Sequence, residues 1–401
     1  MFISKRAAAL FIVLALTFFH ITASTFASLG VVLPAMIGEL NWSWTQAGFG
    51  FTALALFTGL FSPVAAASLN RLGIRGNYAA GGAAMAGGFA LMAGANGLIA
   101  YLAATSLLGA GFALLANVPS VYVAARIVAA PSRNFMIGVY LAAGGLGGVA
   151  GPLIAHAMIE DGGDWRSYWR AAMALSLILA AATVLLARES FLKEDGGEIA
   201  ADAKHAAEET RPWTLNEALR APAFWFIGAA LMAAYFCGVS VSSWAVTHLT
   251  GLGLSAGLAS AMLSLHAASN ALARAAGGVA VKRIRARHLL LSGLIAEAIG
   301  MTALSFGGSP AIAVVFALFE GYAFGMILYA TTVLAIDYFG LKHSPAILGA
   351  MNLFATVAML GPTLTGATGD AFGSFSPIFL VYGAGAFLLA LAGLAMKNPN
   401  R

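Results

Sequence analysis

Residues 257–281 read GLASAMLSLHAASNALARAAGGVAV, an apolar run in which Arg274 is the sole Lys, Arg, Asp or Glu. A bilayer core of roughly 30 Å takes about 20 mostly apolar residues of helix, so this run is long enough to span it. Arg274 then lies in hydrocarbon, where a guanidinium costs at least ~2.5–3.5 kcal/mol on insertion scales and normally faces a bundle interior or a wet cavity. It cannot shed its charge by deprotonation. It reads as a fixed positive charge awaiting an anion, with a structural ion pair as the competing reading. His266, Asn270 and Arg274 are spaced by four, which lines them along one helix face over ~12 Å. A guanidinium fork holds a carboxylate bidentately, an Asn can donate to that carboxylate or to a hydroxyl beside it, and a His titrates near physiological pH.

The rest of the chain is of the same kind. Of 401 residues, 60% are hydrophobic and 9% charged, with mean hydropathy +0.87, far from the roughly 25% charged residues of a soluble domain. Twelve apolar runs meet the length requirement: 7–36, 45–69, 77–95, 98–128, 135–159, 168–187, 223–249, 257–281, 289–306, 310–338, 345–369 and 377–396. No period-two alternation occurs, which excludes a membrane β-barrel. The expected fold is an all-α membrane protein of twelve transmembrane helices in two pseudo-symmetric six-helix bundles. Under this scheme all Lys and Arg residues except Arg166, Arg170 and Arg274 fall on one side, and by the positive-inside rule both termini are cytoplasmic. The net charge of +5 is thus a topology signal and not a nucleic-acid footprint. Reading the first run as a signal peptide competes, but its apolar stretch outlasts an ordinary h-region of about 7–15 residues. Cys237 is the lone cysteine, so no disulfide framework or Cys/His metal spacing exists and no cofactor or metal is expected.

The sequence also repeats weakly at an offset of 212 residues. Leu40, Ser43, Ala47 and Gly48 correspond to Leu252, Ser255, Ala259 and Ser260, Arg71 and Arg75 to Arg283 and Arg287, and Gly109 and Phe112 to Gly321 and Phe324. Gly151-Pro152 matches Gly361-Pro362 after a two-residue slip. Each Ser is placed to N-cap the helix that follows. Duplication at this scale is typical of secondary transporters, whose substrate site lies near the bilayer midplane between the repeats. The expected organisation is an N-terminal bundle over 1–187, a cytoplasmic linker over 188–222 and a C-terminal bundle over 223–401. The linker is the one sizeable polar segment, and within it Thr214 and Glu217 have the spacing of a capping box for a short helix ending before Pro222.

These residues resemble the major facilitator superfamily over nearly the whole chain. In that family the loop between helices two and three carries Gly-x-x-x-Asp-Arg-x-Gly-x-Arg. The matching positions here are Ala66, Asn70, Arg71, Gly73 and Arg75, and in the second copy Gly278, Lys282, Arg283, Arg285 and Arg287. The motif is degenerate. Arg71, Arg75, Arg283 and Arg287 still suit carbonyl capping at helix ends, and the resemblance implies a gating role for them. Within the superfamily the chain looks most like the monocarboxylate transporter and oxalate:formate antiporter branch. The resemblance rests on Gly30-Val31-Val32, Leu40-Asn41-Trp42-Ser43, the Gly109-Ala110-Gly111 to Asn117 and Pro119 run, Gly162-Gly163-Asp164-Trp165-Arg166, and Arg274. It implies an anion site in which that Arg pairs a small carboxylate. Relatives often carry Asp one turn before the Arg, where this chain has Asn270, and oxalate:formate antiporters carry a second base in a span that here holds no Lys or Arg. A dianion such as oxalate is therefore disfavoured.

Further candidates come from the repeat and from periodicity. Asn117 and Tyr329 occupy matching repeat positions, and Tyr322 lies seven residues before Tyr329, so these three are expected around one central cavity with Arg274 and Asn270. His20 sits in a stripe with Thr17, Ser24 and Ser28 that reads either as cavity lining or as close helix packing. His266 and Glu320 are the proton-coupling candidates. Glu320 points some 160–180° away from Tyr322 and Tyr329 at roughly 100° per residue. Glu297 is the other deep acid, and a protonated packing role is the favoured reading for both, the more so for Glu297 because the resemblance implies a peripheral place for its helix.

The expected function is secondary transport of small organic anions, chiefly monocarboxylates, by alternating access as symport or antiport. The expected setting is a multi-pass protein of the cell membrane, acting as a monomer, with protons as possible co-substrate. Multidrug efflux on the same fold and a non-transporting membrane sensor are the alternatives. No Gly-x-Ser-x-Gly, His-Glu-x-x-His or paired-Asp arrangement occurs, so an enzyme is not expected.

Overall fold

The structure, a computed structural model, describes residues 4–116, 118–127, 133–160, 164–188, 213–340, 344–396 and 399. Among them no strand occurs and ten helices are long and apolar enough to cross a membrane. The chain divides into two units, Met1–Glu194 and Asp195–Arg401. Linker positions 189–212 and Asn117 lie outside the described residues.

The first unit comprises α1 (Lys5–Ser24), α2 (Leu29–Leu40), α3 (Trp44–Ala93), α4 (Leu98–Leu115), α5 (Val118–Ile127), α6 (Arg133–Glu160) and α7 (Trp165–Leu186). The expected first span, 7–36, is two helices. Thr25 and Ser28 turn their hydroxyls onto the carbonyls of Ile21 and Ala23, and such local bonds compete with the helical ladder. Ser43 starts α3 with a full capping box, its Oγ accepting from the Gln46 amide while Gln46 Oε1 accepts from the Ser43 amide. At 1.5 Å per residue, the 50 residues of α3 would run ~75 Å, far beyond a bilayer core. The chain reverses instead at Gly73, whose φ of 70° and ψ of −179° fall in a region open essentially to Gly alone. Spans 45–69 and 77–95 meet there.

The second unit comprises α8 (Leu215–Arg220), α9 (Pro222–Gly251), α10 (Ala256–Ala280), α11 (Ala286–Ser305), α12 (Pro310–Phe339), α13 (Ser344–Ala355), α14 (Gly361–Phe372) and α15 (Ser376–Ala395). Ser255 Oγ caps α10 at the Leu258 amide, and Thr214 with Glu217 forms the capping box of α8. The expected span 345–369 is interrupted by a 3-10 turn over Thr356–Leu360. Pro362 cannot donate a backbone hydrogen bond and its ring crowds the preceding turn; Trp244 Nε1 fixes the break by donating to the Pro362 carbonyl at 2.8 Å. Helix α10, which carries Ser, His, Asn and Arg side chains, is not among those ten helices.

The duplication reappears in the packing inside each unit. A Cβ on Gly109 would lie 2.3 Å from the Leu54 carbonyl oxygen, and one on Gly321 would lie 2.3 Å from that of His266. Gly88 and Gly300 press on Leu108 and Glu320, and Gly81 and Gly293 on Leu115 and Ile327. Every partner pair is related by the offset of 212. Large apolar side chains such as Ile12, Leu16, Leu185, Leu272, Leu353 and Leu388 are exposed, a surface suited to lipid tails and not to water.

Candidate functional site

Arg274 lines a pocket of ≈ 330 Å³ within the second unit, shared with Tyr235, Leu328, Tyr329, Thr331, Thr332 and Asn352. This is at the small end of the roughly 300–1,000 Å³ typical of ligand pockets. Arg274 Nε donates to Asn270 Oδ1 at 2.9 Å, one helical turn earlier, and the guanidinium carbon lies 5.9 Å from the centroid of the Phe324 ring. The terminal guanidinium nitrogens have no acceptor among the described residues. Helix α10 is locked in register with α12: Ser269 Oγ donates to the Leu318 carbonyl at 2.8 Å, and Gly321 and Gly325 bring the α12 backbone against the carbonyls of His266 and Asn270. The site therefore stands on rigid elements. It presents a planar cation with two open donor nitrogens, two phenols, two Thr hydroxyls and a carboxamide, a set that can hold a carboxylate and hydrogen-bond a hydroxyl or keto oxygen beside it.

The other expected site residues fall in different places. Tyr329 joins Arg274 in the pocket. Tyr322 does not: its hydroxyl meets Ser292 Oγ at 2.8 Å, and it lines a second, apolar pocket of ≈ 440 Å³ with Ile295, Ile299, Leu318 and Phe319. Helix α12 lies against α10 and α11, so one stripe of it meets different neighbours along its length. His20 is also not a cavity group. It is buried, with Nε2 2.9 Å from Ser176 Oγ and 3.2 Å from the Ala172 carbonyl, joining α1 to α7. The Thr17 and Ser24 hydroxyls return to carbonyls of their own helix, while Gly144, Gly147 and Gly151 of α6 sit against Phe18, Phe19 and Ala23. This is the close-packing reading of the stripe. Tyr235 and Asn352 are pocket residues that the sequence reading missed; their side chains are 3.5 Å apart. Asn352, the lone Asn of an apolar run, carried the same kind of signal as Arg274.

His266 is buried and turns away from the pocket into the protein, where Nε2 pairs with Glu320 Oε2 and the ring stacks on Phe316. Glu320 is fully buried and, as expected, does not share the surroundings of Tyr329. Among the basic residues of the degenerate motif, Arg75 Nε donates to the Ala187 carbonyl at 2.9 Å. Its repeat mate Arg287 donates to the carbonyls of Gly393 and Leu394 at 3.0 and 2.6 Å. Both thus cap the C-terminal end of the last described helix of their own unit, where partial negative charge gathers. Arg71 and Arg283 are exposed.

A sequence model of the Major Facilitator Superfamily matches residues 10–269 and 242–401, nearly the whole chain. The chain belongs to the major facilitator superfamily. The nucleoside transporter NupG is similar in fold with TM-score 0.78 at 15% identity, over 98% of this chain and 99% of that one. A bacterial homolog of the human lysosomal transporter Spinster, inward-facing and occupied, gives 0.70 at 18% over 97% and 93%, and a D-xylose-proton symporter gives 0.71 at 17% over 98% and 99%. No curated protein matches the sequence. At such identities the likeness extends to the fold, and the superfamily makes this chain a multi-pass membrane transporter.

Proposed function

We propose that the protein is a secondary transporter of small organic anions, monocarboxylates foremost, and that Arg274 pairs the carboxylate as the two halves alternate access to the site. The observation that carries the reading is the Arg274 guanidinium held at Nε by Asn270 and lining a small pocket of mixed polar and apolar walls. A neutral Asn orients the cation without cancelling its charge, whereas an Asp there would compete with substrate for it. The structural neighbours move solutes as different as nucleosides and xylose by their names, so the substrate class has to come from the pocket. The resemblance to the monocarboxylate and oxalate:formate branch points the same way. Multidrug efflux of lipophilic cations fits less well, because the pocket's charged group is itself a cation. In this reading Arg75 and Arg287 tie helix ends that part and re-form during gating with Arg71 and Arg283, the termini are cytoplasmic, and the location is the cell membrane. Uptake of labelled lactate, pyruvate, formate, oxalate and aromatic acids into proteoliposomes tests it. Saturable uptake of monocarboxylates is expected, and uptake of none of these acids rejects the reading.

A further inference from the structure

Glu320 is the meeting point of three helices. Gly321 lets α12 approach α10 at the His266 carbonyl, and Gly300 lets α11 approach α12 so closely that a Cβ there would lie 2.5 Å from the Glu320 amide nitrogen. Glu297 lies one turn before Gly300, fully buried, beside Glu320 and next to the Cys237 thiol of α9. It thus lies inside the unit, at the crossing of α11 and α12. Apart from the His266 contact and the Cys237 thiol beside Glu297, none of the four oxygens of Glu297 and Glu320 has a hydrogen-bond donor among the described residues. Among the described residues Tyr382 of α15 is a further ionisable group nearby, facing Cys237 and Ser240. Arg274 lies on the pocket side, two turns along α10.

The duplication shows that the fold does not require these groups. At the offset of 212, His266, Glu297 and Glu320 correspond to Leu54, Met85 and Leu108, all buried in the first unit at the same glycine crossings. One half of the chain builds this junction from apolar side chains; the other places two acids and a His in it. Burying one unpaired ion costs several kcal/mol, so two ionised carboxylates cannot persist there. A neutral cluster is an imidazolium facing one carboxylate with the second carboxyl protonated, or its tautomer with both carboxyls protonated and the imidazole neutral. Removing one proton to water leaves the cluster with net charge −1.

We propose that His266, Glu297 and Glu320 form a proton-binding site in the second unit, separate from the Arg274 pocket, which loads and releases one proton per transport cycle. The link to transport runs through the α10–α12 contact: Gly321 touches the carbonyl of His266 and Gly325 that of Asn270. These locked helices hold the Arg274 pocket and the cluster at a fixed separation, so an anion on Arg274 sets a negative charge two turns from His266 and favours the protonated cluster. The coupling step rests on the anion-transport reading, whereas the proton site does not.

The test has two arms. Infrared difference spectra of the purified, substrate-free protein between acid and alkaline pH should contain a protonated-carboxyl band that is lost in Glu297→Gln and Glu320→Gln. Glu297→Met and Glu320→Leu, which install the residues of the matching positions, should remain folded and lack the band too. A band unchanged in all four variants, or no pH-dependent carboxyl band in the wild type, overturns the site. In proteoliposomes a gradient of one pH unit drives about tenfold accumulation by one-proton symport. The variants should lose that accumulation while retaining substrate counterflow. Accumulation that survives both Gln substitutions overturns the coupling. A wild type that shows the band but takes up no carboxylate refutes the anion reading and leaves the proton site standing.

Discussion

Replacing Asn270 probes how the site holds its charge. The Arg274 Nε to Asn270 Oδ1 bond is 2.9 Å long, and a hydrogen bond to a charged group contributes about 1.5–3 kcal/mol. Water can replace part of it, since Arg274 is exposed to the pocket, so Asn270→Ala should weaken carboxylate binding about tenfold, or ~1.4 kcal/mol. Asn270→Asp does something different, because it sets a unit negative charge about 4 Å from the guanidinium. At an effective dielectric constant of 20 that attraction is worth ~4 kcal/mol, which a substrate anion must displace. Binding at neutral pH should fall further than in the Ala variant, and it should recover as acid protonates the new carboxylate. Equilibrium binding of a labelled carboxylate to purified protein across pH measures both effects. An Asp variant that binds like the wild type at neutral pH would show that the substrate anion does not use Arg274.

Other expectations concern packing and the far end of the first unit. Gly321→Ala puts a methyl 2.3 Å from the His266 carbonyl oxygen, and overpacking of this kind costs ~1–3 kcal/mol; a lowered thermal midpoint should be seen, and an unchanged one would refute the close crossing. Gly73→Ala forces a side chain into φ 70°, ψ −179°, a strain of about 1–3 kcal/mol that should appear as reduced yield of folded protein. At the exposed end of α2, Glu39 accepts from Arg166 at 2.5 Å and from Trp165 Nε1 at 2.6 Å, and these bonds, Arg166 first, hold its carboxyl below the ordinary carboxylate range. A depressed acid stabilises the fold above its unfolded value of ~4.3 and loses that contribution as pH falls through the folded value. Trp165 fluorescence should therefore change on acidification into that range, and Glu39→Gln should remove the change.

Much of this architecture is legible in the sequence because hydrocarbon demands long apolar helices, and helices announce their ends. Ser43, Ser255 and Thr214 cap where their spacing says they should. Arg274 is legible for the same reason, since a charge in an apolar run needs a place to face. The break at residues 25–28 was hidden because hydropathy continues through it; only the hydroxyl bonds of Thr25 and Ser28 reveal it. His20 and Tyr322 misled because a polar group in a span can be satisfied by any neighbouring helix, and periodicity does not say that Ser176 and Ser292 wait across the interface. The inward aim of Glu297 depends on which face of α11 meets α12, and that is decided by Gly293 and Gly300 together with their partners.

The central claim, that Arg274 receives the carboxylate, is tested most directly by carboxylate binding to folded Arg274→Lys and Arg274→Ala proteins, with counterflow measured in parallel. Lys keeps the charge but lacks the planar fork. The account predicts that the Lys variant inserts and folds but loses most transport, and that the Ala variant loses anion binding altogether. Near-normal carboxylate binding and counterflow by folded Arg274→Ala protein would contradict it.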